Sequence, residues 1–196
     1  RMFHMVRFLG ERFDLDLVAP ALAGADEATR LLRERCRDIE FVPPAPGGLR
    51  RRVLRLGPYE VDPALAAVIR ERMRRRRYGA VQVEKPAMLP YLPKGTAVPV
   101  VLDTFAFGLA GAWRALRHER GALTRARNAL RLVRFAAFDT FCWPPTHCIL
   151  VPSEADRERC RRARPTANVV LVPNGVDCRR VTPAPSGDGR RPVLLF

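Results

Sequence analysis

Lysine and histidine are scarce in this chain of 196 residues, and their scarcity limits what the charge can mean. Lys85 and Lys94 are the only lysines, so arginine supplies almost all of the net charge of +15. A GC-rich genome produces such one-sided usage, and net charge by itself says little about fold. The charge leaves open a basic nucleic-acid-binding α/β protein, but no recognition helix, RNP aromatics or zinc module accompanies it.

Metal-binding and disulfide patterns are also missing. The five cysteines show no C-x-x-C pairing, and three histidines give no zinc-like spacing. An odd number of cysteines argues against the disulfide framework of a secreted protein. We therefore expect no metal and no tightly bound cofactor, and we interpret the cysteines as small core residues or incidental surface thiols.

Long apolar runs are absent as well. The longest ones have the length of a strand, and none has the length that a membrane span requires. The sequence therefore predicts a soluble, cytoplasmic protein of about the size of one α/β domain. No G-x-G-x-x-G follows a predicted strand, which gives no support to a dinucleotide-dependent enzyme.

The most informative stretch runs from His147 to Asp177. It predicts a buried strand at 148–151, a helix that opens at Ser153 with Asp156 completing a capping box, and a second strand at 169–172. Two such strands around one helix form a βαβ unit in a parallel sheet. The second strand lacks polar alternation, so we expect it to be covered on both faces. The Asn174-Gly175 pair in the following loop suits positive φ angles.

This stretch resembles the retaining glycosyltransferases of family 4. The residues that carry the resemblance are V-P-S-E-A-D at a strand end, V-V-L-V-P-N-G-V-D after the next helix, and P-V-L-L-F after a Pro-rich segment. The resemblance implies a GT-B fold, with two Rossmann-like domains facing a cleft. It divides the chain into an acceptor-side domain at 1–177 whose first strand is missing, an interdomain linker at 178–191, and the first strand of a donor-binding domain at 192–196.

The rest of the chain predicts alternating helices and strands. Helices are expected at 2–13, 26–36, from the Asp62-Pro63 cap to residue 77, and at 123–141. Strands are expected at 15–19, 39–42, 80–84 and 98–103, and a loop at 108–111. This alternation predicts an α/β fold, a Rossmann-like doubly wound parallel sheet with helices on both faces.

Candidate site residues lie where strands end, because open α/β sheets bind ligands beyond the carboxyl ends of their strands. The resemblance makes Asp103 the candidate catalytic residue, although Thr104 and Phe105 stand where many relatives carry a histidine. A loop-bracing role for Asp103 is the alternative. The other residues expected to line the cleft are Glu84, Ser153, Glu154, Asn174, Gly175 and Asp177.

The segment from Leu123 to Phe141 predicts an amphipathic helix. Apolar residues recur every three or four positions, at Leu123, Ala126, Leu130, Val133, Ala137 and Phe141, and arginines occupy another face, at positions 120, 127, 131 and 134. The favoured interpretation is a core-facing apolar stripe opposite a solvated basic one. The alternative is docking on anionic lipid at the inner face of the membrane, which suits a family that often glycosylates lipid-linked acceptors.

The function implied by the resemblance is sugar transfer, with retention, from a nucleotide-sugar donor to a hydroxyl acceptor such as a polysaccharide, a glycolipid or a small molecule. The donor would be held mainly by the second domain, so we expect residues 1–196 alone to be inactive. A sugar-nucleotide epimerase of similar architecture and a nucleic-acid-binding protein are the alternatives.

Overall fold

The computed structural model describes residues 2–21, 26–45, 61–104, 108–141 and 146–176. Its helices are α1 (Met2–Leu9), α2 (Asp26–Arg33), α3 (Pro63–Arg75), a 3₁₀ helix (Pro86–Tyr91), α4 (Gly108–His118), α5 (Ala122–Phe141) and α6 (Glu154–Ala163). Its strands are β1 (Asp16–Pro20), β2 (Asp38–Val42), β3 (Val81–Glu84), β4 (Val100–Asp103), β5 (Cys148–Val151) and β6 (Val169–Leu171). The fold is α/β, as the sequence predicts.

Four strands form a parallel sheet in the order β3-β4-β5-β6. Glu84 is paired with Asp103, Asp103 with Leu150, and Val151 with Leu171, so all four strands end at the same edge. β5 and β6 are adjacent and parallel, with α6 between them in the chain. The βαβ unit predicted around Ser153 is therefore confirmed.

The first two strands form a separate sheet. β1 pairs in parallel with β2, and neither strand pairs with the four-stranded sheet. The single sheet expected from the sequence is thus divided in two among the described residues. At their starting ends the two sheets are close, because the Tyr78 hydroxyl, just ahead of β3, donates to Oδ2 of Asp16 in β1 at 2.8 Å.

α3 and the 3₁₀ helix bridge the two sheets. Val42 of β2, Leu65 and Ala66 of α3, and Tyr91 form one buried cluster, and Met88 packs against both this cluster and the core of the larger sheet. α3 begins as predicted: Oδ1 of Asp62 accepts from the backbone N–H of Ala64 at 2.8 Å. The contacts of these two helices therefore hold the two sheets together.

The larger sheet is buried more fully on one face. Its apolar core consists of Val83, Leu89, Val100, Leu102, Ile149, Val151, Cys160 and Val169. On the opposite face of β6, Val170 is 39% exposed. The expectation that this strand is covered on both faces is wrong, because β6 is an edge strand of the described sheet and its Val170 side is open to solvent.

Two further expectations are corrected. Residues 108–111 belong to α4 and not to a loop; the extensive packing of α4 against α5 compensates for the unfavourable helix propensity of two glycines. In α5 the predicted apolar stripe does not face the core: Leu123, Ala126, Leu130 and Val133 are exposed, and the buried residues are Phe135 and Phe138. The 3.6-residue period identified the helix but not the face that its neighbours cover.

No helix among the described residues is both long enough and apolar enough to cross a membrane. Asp177, the predicted linker at 178–191 and the predicted strand at 192–196 lie outside the described residues.

Candidate functional site

The common carboxyl edge of β3, β4, β5 and β6 is the candidate site. It brings together Glu84 and Asp103, which are register partners on adjacent strands, with Ser153 and Asn174, which follow β5 and β6. Neighbouring strands lie about 4.8 Å apart, so the three strand spacings from β3 to β6 spread these groups over roughly 14 Å. A row of that length can contact a ligand the size of one or two sugar rings.

Asp103 lies at the floor of this edge. Its exposed fraction is 0%, and that of Thr104 is 1%. The backbone at this point is tied to both neighbours: the N–H of Lys85 donates to the carbonyl of Asp103 at 2.9 Å, and the N–H of Thr104 donates to the carbonyl of Leu150 at 3.0 Å. No buried side-chain oxygen or nitrogen in the described part of the chain lacks a hydrogen-bond partner. A carboxylate buried in this way is held by the protein and does not meet solvent.

Lys85 occupies a backbone conformation that the sequence did not predict. Its φ is 75° and its ψ is 145°, and among described residues it is the one non-glycine residue with positive φ. Such a conformation costs on the order of 1–3 kcal/mol and is found preferentially at functional sites. The following Pro86 is buried, which with the Lys85–Asp103 backbone bond holds the residue in place. The only sequence signal here was the proline, which restricts the residue before it.

Glu84 is half-buried on the same face of the sheet as Gln82. Its Oε1 accepts a hydrogen bond from Nε2 of Gln82 at 2.8 Å, and that nitrogen also lies 3.8 Å from Sδ of Met5 in α1. The carboxylate is therefore oriented by its own strand.

Ser153 has the helix-capping role predicted for it. Its Oγ accepts from the N–H of Asp156 at 3.2 Å and donates to Oδ2 of the same residue at 2.6 Å. The hydroxyl thus replaces one of the intrahelical bonds that the first turn of α6 lacks. Glu154, also expected at the cleft, is exposed and pairs with Arg157 one turn later at 2.6 Å.

Asn174 and Gly175 are both exposed beyond β6. Neither has a positive φ angle, so the turn geometry expected for this Asn-Gly pair is wrong. Pairing with β5 reaches one residue past β6, because the N–H of Val172 still donates to the carbonyl of Val151 at 2.8 Å. Sheet pairing of the preceding residues, rather than a tight turn, determines the direction of this loop.

A second polar cluster, which the sequence analysis missed, lies at the opposite end of the strands. Asp16 is 3% exposed and accepts from Nε and Nη2 of Arg37 at 2.9 and 2.8 Å, from Nη1 of Arg76 at 2.7 Å and from the Tyr78 hydroxyl. The Arg37 bonds, chiefly, lower the pKa of Asp16 far below its usual value against the opposing effect of burial. Burial and the bond to Asp16 raise the pKa of Tyr78.

An open cavity of about 500 Å³ adjoins that cluster, between β2 and α3. Its charged lining is already paired: Arg72 binds Asp38 at 2.9 Å and Glu40 at 2.6 Å. Burial disfavours the charge of Arg72, but these two carboxylates outweigh it and raise the pKa of the guanidinium. The cluster and the cavity lie where the strands begin, so they serve to hold the sheets and α3 together and do not belong to the carboxyl edge.

The described residues contain no group of three or more side chains that could hold a metal ion. Burial raises the pKa of the thiols of Cys36, Cys148 and Cys160, which keeps them protonated and poorly nucleophilic. The side chains that the described carboxyl edge presents are the carboxyl groups of Glu84 and Asp103, the Ser153 hydroxyl, the Asn174 amide and the Lys85 amine. Comparison with family models, with curated proteins and with solved structures finds no match for the chain.

Proposed function

We propose that this chain contains the acceptor-side domain of a GT-B glycosyltransferase that moves a sugar from a nucleotide-sugar donor to a hydroxyl acceptor, with retention. One observation carries the proposal. Two of the segments that carry the resemblance to family 4 include Val151 of β5 and Val169–Leu171 of β6, and these two strands are adjacent and parallel. Ser153 and Asn174 follow them at the edge where Asp103 ends the neighbouring β4. This is the edge at which open α/β sheets bind ligands.

The strand order adds support. Among described residues β1 pairs only with β2, and β3 pairs only with β4. One strand inserted between β1 and β3 would join them into a single sheet whose order reverses at that strand. Such a reversal creates the ligand crevice of doubly wound sheets. Glu84 and Lys85, at the carboxyl end of β3, would border such a crevice.

Each residue of the edge has a role suited to its environment. Buried Asp103, whose backbone carbonyl accepts from the N–H of Lys85, would be a positioning residue that orients Lys85 at the edge. Exposed Asn174 would bind sugar or acceptor hydroxyls, because an amide both donates and accepts. The departing diphosphate requires positive charge. Residues of a second, donor-binding domain would supply most of it.

The test measures sugar transfer by the whole protein that contains this chain. A panel of radiolabelled nucleotide sugars is incubated with hydroxyl acceptors, and the anomeric configuration of the product is determined. We expect transfer with retention, and none from residues 1–196 alone. Conversion of the donor to its epimer without an acceptor would instead favour a sugar-nucleotide epimerase. Tight, salt-dependent nucleic-acid binding without sugar transfer would favour a nucleic-acid-binding protein.

Asn174 provides a matched pair of variants. Loss of one substrate hydrogen bond should lower kcat/KM of the Asn174→Ala protein about tenfold. Asn168→Ala changes the same residue type at the opposite end of β6 and should leave kcat/KM unchanged. Equal effects of the two substitutions would contradict the assignment of the site to the carboxyl edge.

A further inference from the structure

Helix α5 exposes an apolar stripe that the fold does not use. Leu123 is 67% exposed, Leu130 59% and Val133 64%, and Ala126 between them is also exposed. Because an α-helix turns about 100° per residue, these four positions fall within about 80° of the helix circumference. They form one continuous strip, here called the α5 stripe, nearly three turns long.

The orientation of α5 is fixed by other residues. Phe135 and Phe138 are buried at 5% and 2%, and α5 packs closely against α4. The guanidinium of Arg131 lies 5.5 Å from the centre of the Phe135 ring. The helix is therefore anchored through a different face, and the α5 stripe remains toward solvent in the folded domain.

Arginines border the α5 stripe. Arg127 and Arg134 lie within about 40° of Leu123 around the helix axis. The whole segment 113–138 contains seven arginines and a single acidic residue, Glu119. Trp113 of α4, a residue type enriched at membrane–water interfaces, is 51% exposed. Apolar residues next to a one-sided basic border are typical of helices that lie in the headgroup region of a bilayer.

We propose that the α5 stripe docks this domain on a bilayer that contains anionic lipid. Charge complementarity selects this occupant. Three large apolar side chains bury too little area for stable binding on their own, so the arginines must contribute through negative headgroups. A soluble polyanion would satisfy the arginines but leave Leu130 and Val133 in water, whereas the aliphatic stems of the arginines can extend along the apolar strip toward phosphates.

Vesicle flotation of the 196-residue chain tests the proposal. Binding is measured on phosphatidylcholine vesicles with and without phosphatidylglycerol. We expect binding only where phosphatidylglycerol is present, and weaker binding as salt is raised. Equal binding to both kinds of vesicle, or to neither, would overturn the proposal.

Two double variants separate the contributions of the α5 stripe and its border. Arg120→Gln, two residues ahead of α5, with Arg127→Gln, in the border, should lower the partition coefficient about 25-fold, about fivefold for each arginine. Leu130→Ser with Val133→Ser should lower it at least about tenfold. The matched controls are Arg161→Gln with Arg162→Gln on α6 and Phe8→Ser with Phe13→Ser near α1, which change equally exposed residues elsewhere and should bind as the unchanged chain does.

Other occupants of the α5 stripe give different results. If only the arginine pair matters, a general polyanion site is indicated and the proposal fails. If the chain self-associates without lipid, and the Leu130→Ser/Val133→Ser variant does not, the occupant is a second copy and the proposal again fails. Circular dichroism of each variant verifies that α5 is still folded. Sugar transfer does not enter these measurements, so the lipid-docking proposal and the proposed function can fail separately.

Discussion

Replacement of Asp16 by asparagine should weaken the small sheet and its connection to the larger one. The carboxylate is 3% exposed and accepts four hydrogen bonds, from Arg37, Arg76 and Tyr78, at 2.7–2.9 Å. A hydrogen bond to a charged group contributes about 1.5–3 kcal/mol, but Arg37 and Arg76 are nearly half exposed and keep water as an alternative partner. Asparagine retains one acceptor and turns an N–H group toward the arginines.

We therefore expect Asp16→Asn to lower the free energy of unfolding by about 3 kcal/mol at pH 7. For a chain of this size that corresponds to a decrease in Tm of roughly 9 °C. Urea unfolding followed by circular dichroism measures the change. Glu71→Gln is the control, since its pairs with Arg74 and Arg75 lie within one exposed helical surface and should contribute nothing measurable.

The stabilisation by Asp16 should depend on pH in a direction that follows from its lowered pKa. The pKa of Asp16 is lowered in the folded chain, so its stabilisation is complete above the unfolded pKa of about 3.9 and is lost as the pH falls toward the folded pKa. At pH 3 the advantage of the original chain over Asp16→Asn should be smaller by about 1 kcal/mol than at pH 7. A difference that is the same at both pH values, or a loss below about 1 kcal/mol at pH 7, would refute the reasoning.

Two substitutions at the carboxyl edge test local structure. Ser153→Ala removes the oxygen that accepts from the N–H of Asp156 and should lower the free energy of unfolding by about 1 kcal/mol. Ser153→Asp keeps an oxygen at this position and should retain most of that stability. Equal losses for the two variants in urea unfolding would contradict the capping role of Ser153. Lys85→Gly places the residue that tolerates positive φ before Pro86 and should raise the free energy of unfolding by about 1 kcal/mol, although glycine lowers it at ordinary positions. A loss for Lys85→Gly would mean that the lysine side chain contributes more than its backbone strain costs.

The local elements were predictable because short-range physics determines them. The strands at 148–151 and 81–84 and the caps at Asp62 and Ser153 follow from apolar runs and from side chains that bond their own helix turn. The meeting of Glu84, Asp103, Ser153 and Asn174 at one edge followed from the rule that parallel strands end together. No knowledge of packing was required for either inference.

The sequence by itself determined most of the helices and strands, though not the first turn of α4, and at which strand ends the polar groups lie, since both depend on periodicity within a few neighbouring residues. Only the tertiary structure decided which face of α5 is buried, that β1 and β2 stand apart from the other strands, and that Asp16 binds Arg37, Arg76 and Tyr78 across as many as 62 positions. The positive φ of Lys85 is also a feature that only the tertiary structure decided, because the neighbouring strand and the buried proline after it impose this conformation. Such features depend on which segments meet in space, and the pattern of residues along one segment carries no information about its partner.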